Sequence, residues 1–209
     1  MPDPLPVGEP LLDFLAVMRR LRAECPWKAE QTHRSLARYL LEETHETIEA
    51  IDTGDLEHLR EELGDLLLQV YFHAVIAEES GAFTLDDVAR GITEKMVRRN
   101  PHVFGDTLNT GDAAAVNDAW EAIKATEKAR TEVTDGLPPT LPALLYADKV
   151  LERLARQGTV VEPAGDDPSD DLGDRLLALV SEARAEGRDP EQALRDAVRR
   201  TVGQARPNV

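Results

Sequence analysis

Two acidic clusters, Glu42-Glu43-x-x-Glu46 and Glu62-x-x-Asp65, stand sixteen residues apart in sequence that otherwise reads as helix. Spacings of three and four place side chains on one helical face, where like charges repel unless a cation gathers them. Four or five carboxylates converging from two neighbouring helices would form a hard, oxygen-lined site suited to Mg²⁺ or Mn²⁺. Such a site points to a metal-dependent enzyme acting on a phosphorylated substrate.

Counting about 100° per residue, Leu36, Leu40, Glu43, Thr47, Ala50 and Ile51 share one stripe. Glu43 therefore faces the core side, with Glu46 on its flank and Glu42 further round. Asp65 shares a face with Leu68, Phe72 and Ile76, and Glu62 lies beside it. An ionised carboxylate buried without a partner costs several kcal/mol, so these acids call for neutralisation. Glu57 and Glu61 read as an ordinary solvated face.

Two basic pairs follow. Lys95 and Arg99 are four apart, and Lys124 lies four after Trp120. Each pair suits a phosphate chain or an aromatic base. Taken alone, they are a solvated basic face and a core tryptophan; their company with the acidic cluster raises them. A different metal reading also fits part of the pattern: Glu42-x-x-His45 and Glu30-x-x-His33 have the spacing of di-iron carboxylate bundles. Glu30 and His33 fall just after a proline break, however, and the two further glutamates of that arrangement are not apparent. His73 and His102 read as structural. No Walker-type phosphate loop, G-x-S-x-G elbow or G-x-G-x-x-G turn occurs.

The elements that must position these groups are helices. Aromatic residues make up only 4% of the 209, against 42% hydrophobic and 31% charged, which suits a soluble helical protein. Helices are expected from Leu11 to about Glu24, from Thr32 or Ser35 to Ile51, and from an Asp55 cap to Glu79. Cys25-Pro26-Trp27 breaks the first, Thr53-Gly54 ends the second and Gly81 closes the third. The third is apolar nearly all round from Leu66 to Ile76, which predicts burial on every side, in a subunit interface for a chain of this size. Thr84-x-x-Asp87 opens a fourth helix, which Asn100-Pro101 ends. Residues 101–111 read as loop, and Asp112 caps a fifth helix carrying Trp120 and Lys124.

The chain divides accordingly: a frayed, flexible N-terminus (1–10), a catalytic domain (11–133), a Gly/Pro linker (134–142) and a helical C-terminal segment (143–209). That segment comprises a helix over about Ala143–Gln157, an acidic and mobile Glu162–Asp170 stretch, and helices over about Asp171–Glu186 and Asp189–Gln204. It contains an internal echo. Glu62-Leu63-Gly64-Asp65-x-Leu67-Leu68 is matched by Asp171-Leu172-Gly173-Asp174-x-Leu176-Leu177, with nothing equivalent to the Leu41–Glu46 cluster. A repeat that has lost one helix keeps half of the proposed ligand set.

Net charge of −16 argues against bulk binding to duplex nucleic acid, so an anionic substrate needs local cations or metal ions. The single cysteine, Cys25, excludes an internal disulfide and a multi-cysteine zinc site. No secretory signal and no run of membrane-spanning length is visible, and a cytoplasmic location is expected.

The runs CPWKAEQTH (25–33), LEETHE (41–46), EELGDLL (61–67), RRNPHVFGD (98–106) and WEAIK (120–124) resemble the MazG-type nucleoside triphosphate pyrophosphohydrolases. The resemblance covers about residues 11–157 in the correct order, and LPALLYADKV (141–150) with the terminal echo is similar to the linker and a shortened second copy of two-copy members. Lys28 and Asn100 depart from the pattern, where an acidic residue and a histidine are usual. The resemblance implies an all-α fold, an antiparallel helix bundle completed by dimerisation into a homodimer or higher homo-oligomer. It also implies conversion of NTP or dNTP to nucleoside monophosphate and pyrophosphate. Mg²⁺ would be held by Glu43, Glu46, Glu62 and Asp65, with Glu42 nearby, and nucleotide by Lys95, Arg99, Trp120 and Lys124. Either Glu42 or Glu46 would take the proton of the attacking water. Two other readings stay open: a catalytically silent dimeric interaction module, and the di-iron oxidoreductase.

Overall fold

The computed structural model describes residues 8–105, 112–127, 131–159 and 171–205, and among these it is helical with no strand. The segments 1–7, 106–111 and 162–170, which belong to the expected frayed end, loop and mobile acidic stretch, lie outside the described residues. The chain forms two compact units, Met1–Ile123 and Lys124–Val209.

The first unit is organised around a helical hairpin. Helix α3 (His33–Thr53) starts at a capping box in which Thr32 Oγ1 accepts from Ser35 N and Ser35 Oγ accepts from Thr32 N. It ends at Gly54, whose φ of 73° is left-handed and whose N–H reaches the carbonyls of Ala50 and Ile51. Asp55 then caps α4 (Leu56–Glu79), its Oδ1 accepting from Glu57 N at 3.0 Å and His58 N at 3.1 Å. With so short a turn, the two helices can only run antiparallel and side by side.

Helix α1 (Pro10–Glu24) packs on α4 and on the short α2 (Pro26–Ala29). The core consists of Leu15 and Met18 from α1, Leu36 from α3, and Tyr71, Phe72 and Val75 from α4. Tyr71 also donates to Leu11 O at 3.0 Å and packs its ring 4.8 Å from that of Phe14. Two ion pairs fasten the end of α4 to α1: Arg19–Glu78 at 2.7 Å and Arg22–Glu79 at 2.8 Å. Arg22 also donates to the carbonyls of Lys28 and Gln31, and so holds the α1–α3 connection over the core.

The apolar stretch of α4 is thus largely buried within its own unit. Tyr71, Phe72, Ala74, Val75 and Ala77 lie inside it, while Leu63 and Val70 remain exposed on the other face. After Gly81 (φ 68°), α5 (Leu85–Arg99) opens with its own Thr84/Asp87 capping box. The expected break at Cys25-Pro26 is present, with α1 ending at Glu24 and Cys25 extended, and Pro26 then starts α2. Likewise Pro101 starts α6 (Pro101–Phe104) inside the span expected to be loop. In both places proline occupies the first helical turn, where its missing N–H has no partner to lose and its fixed φ suits the helix.

Helix α7 (Ala113–Glu127) carries Trp120 and crosses the boundary between the units. The second unit contains α8 (Ala143–Arg156), α9 (Leu172–Ala185) and α10 (Pro190–Ala205) in mutual contact, with Leu151 and Val180 buried. Arg153 donates to the carbonyls of Val133 (2.6 Å) and Asp135 (2.8 Å), which ties the turns before α8 to that helix. Arg184 pairs with Asp148 at 3.2 Å across α9 and α8.

Leu36 is 1% exposed and contacts the core where α3 meets α1 and α4. Leu36→Ala should lower unfolding free energy by about 2–5 kcal/mol, the usual loss for a truncated core leucine. A denaturant midpoint unchanged from the parent chain would contradict this packing.

Candidate metal and nucleotide site

The hairpin determines where the acids meet. Because α3 and α4 are antiparallel around Gly54, residues eleven before and eight to eleven after that glycine lie level with each other: Glu43 on α3, Glu62 and Asp65 on α4. Carboxylate oxygens of these three residues lie within 4.8 Å of one another, and they are the only such metal-competent group among the described residues. The set is entirely carboxylate, the donor type that suits hard divalent cations.

Glu62 is the most enclosed of them, at 8% exposure. Its Oε2 is buried and has no hydrogen-bond partner among the described residues. Its Oε1 lies 3.0 Å from His58 Nε2, one helical turn earlier. Burial first, and then the charges of Asp65, Glu46 and Glu62, raise the Glu43 carboxyl above its ordinary value of 4.5. Glu46 is exposed, and its carboxylate is one of the groups that raise Glu43. The cluster therefore shows the frustration expected of like charges brought together, and a buried oxygen with nothing to accept from. A divalent cation answers both.

Glu42 does not join. It is exposed and pairs with Arg38 at 3.3 Å on the solvent side of α3, as its position further round the helix requires. The histidines of the di-iron pattern are also elsewhere: His45 is exposed, and His33 stacks on His73 with their Nδ1 atoms 2.8 Å apart. Burial, and secondarily the charge of His33, lower the His73 value. Neither Glu30 nor any histidine enters the acidic group.

On α5, Lys95 and Arg99 are half-buried, and the Arg99 guanidinium lies 5.3 Å from the Trp120 ring centre. The structure thus joins two features that helical spacing treats separately, since a guanidinium stacks readily on an indole face. Lys124 follows Trp120 by one turn of α7 and belongs to the second unit. The two departures from the family pattern have local roles. Lys28 Nζ sits 5.5 Å over the Trp27 ring and 5.2 Å over Phe72. Asn100 closes α5 by donating from Nδ2 to Met96 O at 2.7 Å, and its carbonyl accepts from Val103 and Phe104 N at the start of α6.

Two residues, one at the site and one a helical turn beyond Asp65, went unread in the sequence. His58 carries a weak signal, its position four before Glu62. Gln69, four after Asp65, is 4% exposed with Oε1 unpartnered, and an isolated glutamine in an apolar run gives no warning of that. The α9 echo keeps Asp171 and Asp174, but no second acidic group forms among the described residues.

Comparison with known proteins agrees with this architecture. Residues 31–104, which span α3 to α6, match the MazG nucleotide pyrophosphohydrolase domain. The chain is 47% identical over 91% of its length to the “Uncharacterized 26.1 kDa protein in blaB 3'region” of Streptomyces cacaoi, of which it covers 78%. It is 39% identical to the nucleoside triphosphate pyrophosphohydrolase/pyrophosphatase MazG of Thermotoga maritima, over 91% of this chain and 82% of that one. Against the nucleoside triphosphate pyrophosphohydrolase of Mycobacterium tuberculosis it is 44% identical over 91% of its own length, and spans about half (55%) of that relative. An all-helical chain with these identities, and with the matched segment enclosing the acidic hairpin, belongs to the MazG nucleotide pyrophosphohydrolase family.

Proposed function

We propose that the chain hydrolyses nucleoside triphosphates, ribo- or deoxyribo-, to nucleoside monophosphate and pyrophosphate, with Mg²⁺ held by Glu43, Glu62 and Asp65 and with Glu46 beside them. The observation that carries this reading is the convergence of three carboxylates on the α3–α4 hairpin around a buried, unpartnered Glu62 Oε2. The names of the relatives supply the reaction. Mn²⁺, with the same preference for oxygen donors, would substitute.

When bound, such an ion shields phosphate oxygens and lowers the pKa of a coordinated water. The chain's own groups do the rest. Glu43, Glu62 and Asp65 orient that charge toward the α-phosphate. Glu46, exposed and one turn from Glu43, is better placed than Glu42 to take a proton from water, because Glu42 is engaged by Arg38. Lys95 and Arg99 offer cations to the phosphate chain against the general negative field, and Trp120 offers an aromatic face for the base. Lys124 joins this group on helical spacing alone.

A second copy of the chain is the proposed partner. Leu41, Leu63, Val70, Val88, Ile92 and Val97 are exposed on α3, α4 and α5, aliphatic surface that a second copy would cover. No helix among the described residues is long and apolar enough to cross a membrane. A cytoplasmic role in keeping the nucleotide pool is the setting that fits the substrate and the lone, free Cys25.

Incubating purified protein with each triphosphate and Mg²⁺ should release monophosphate and pyrophosphate in equal amounts. Glu62→Gln and Asp65→Asn should each reduce that rate at least about 100-fold, the scale on which loss of one preorganised charge-stabilising group acts, with far-UV circular dichroism unchanged. Rates undiminished from the parent chain in both variants would reject the site.

A pH prediction follows from Glu43. Its folded-state value is raised, so in the metal-free chain the folded form binds this proton more tightly than the unfolded form. The stability it contributes is present below about 4.5, the ordinary value, and is lost as pH rises through the raised one. Glu43→Gln should therefore melt above the parent chain at pH 7 without metal, and the gap should close toward pH 4.5. A gap independent of pH would contradict the raised value. Mg²⁺ at a hundredfold excess over its Kd should stabilise the parent chain by about 2.7 kcal/mol, and the Gln variant by less.

A further inference from the structure

We infer that His58 is the positioning residue of the acidic site: its imidazole holds Glu62 Oε1 and so keeps that carboxylate, with its buried Oε2, inside the group formed with Glu43 and Asp65, where a divalent cation would sit. This deepens, and rests on, the metal-site reading given above.

A glutamate side chain has three rotatable bonds. In a group of like charges, repulsion favours rotamers that swing the carboxylate outward to water. Glu62 nonetheless stays inside, with both neighbouring carboxylates within 4.8 Å. Something must hold it, and among the described residues the one group that does is His58, with Nε2 at 3.0 Å from Oε1. A carboxylate oxygen can only accept, so Nε2 carries the proton and donates. The neighbouring basic residue on the helix, Arg60, turns away to Glu57 at 2.9 Å on the exposed face.

His58 is itself held in place from below. Its backbone N–H donates to Asp55 Oδ1, the cap of α4, at 3.1 Å. The cap thus fixes the backbone of the first turn from which the imidazole projects toward Glu62, one turn further along α4. Among the described residues, Glu62 is the one of the three acids with a basic side chain as donor, and it is also the one with an oxygen buried without a partner. That division of labour within one carboxylate, one oxygen fixed and one presented, is how groups behind metal ligands orient them. An incidental surface pair would leave Glu62 exposed, whereas its side chain is 10% exposed against 40% for His58.

The test uses the full chain without nucleotide, titrated with Mn²⁺ and read as free ion by electron paramagnetic resonance. His58→Ala should weaken Mn²⁺ binding about tenfold or more, within the 10- to 100-fold range for loss of a partner behind a metal ligand. His58→Gln, whose side-chain amide can donate to the same oxygen, should bind close to the parent chain, and Arg60→Ala should be indistinguishable from it. In the pyrophosphate assay, the His58→Ala deficit should appear as a raised Mg²⁺ requirement, with kcat recovered at saturating Mg²⁺. Parent-like Mn²⁺ binding by His58→Ala, or a kcat loss that Mg²⁺ does not recover, overturns the inference. Should the parent chain and Glu62→Gln bind Mn²⁺ alike, the metal-site reading itself fails, and this assignment with it.

Discussion

The structure depends on one electrostatic conflict: Glu43, Glu62 and Asp65 are brought together although each repels the others. Folding of the α3–α4 hairpin imposes that convergence, since the left-handed turn at Gly54 and the Asp55 cap leave the helices no other register. The repulsion shows in the raised Glu43 carboxyl and in the orphaned Glu62 oxygen. What offsets it in the metal-free chain lies elsewhere. Leu36, Tyr71, Phe72 and Val75 bury apolar surface further along the same two helices, and hydrophobic burial of that kind is large enough to carry a frustrated site.

The ends of the hairpin are treated differently. Away from Gly54, α1 lies against α4, with two arginine–glutamate pairs closing the edge, and α3 begins at its own capping box. Near Gly54, Ile51 and Leu56 are exposed, and the acids lie between that end and the core. Exposed surface pairs contribute little stability, so Arg19–Glu78 and Arg22–Glu79 matter mainly for register. Arg22 is the exception, because its guanidinium also satisfies two backbone carbonyls of the α1–α3 connection. The hairpin is thus pinned at its core end and carries clustered negative charge at its site end.

Cations are placed with similar economy. A chain with a net charge of −16 repels a triphosphate at long range, so attraction has to be local. Lys95 and Arg99 sit on one face of α5, and Arg99 is also stacked on Trp120, which draws α7 toward the end of α5. Asn100, where the family pattern has a histidine, still ends α5 and starts α6 through its side-chain and main-chain hydrogen bonds. The departure preserves the bend.

Much of this was legible in the residues. Thr32, Gly54, Asp55 and Thr84 announce their helix boundaries because capping is a local interaction, settled within three or four residues. The prolines were legible as stops for the same local reason, since α1 ends before Pro26 and α5 before Pro101; that each also starts a short helix, so that Pro101–Phe104 is not loop, was not. Glu43 and Asp65 stood out because a charge on an apolar stripe is visible in the spacing. Glu42 and Glu43 are adjacent, yet one ends in the cluster and the other on Arg38, a distinction that rests on about 100° of helix phase. By itself, then, the amino-acid sequence determined the helices, their caps and the presence of an acidic pair of faces, all of which depend on neighbours close along the chain. Only the tertiary structure decided which oxygens meet, that Glu62 rather than Glu43 is the most deeply enclosed, that His58 holds it and that Arg99 lies on Trp120. Those outcomes depend on how two helices rotate and slide against each other, which is set by packing between residues far apart in the chain.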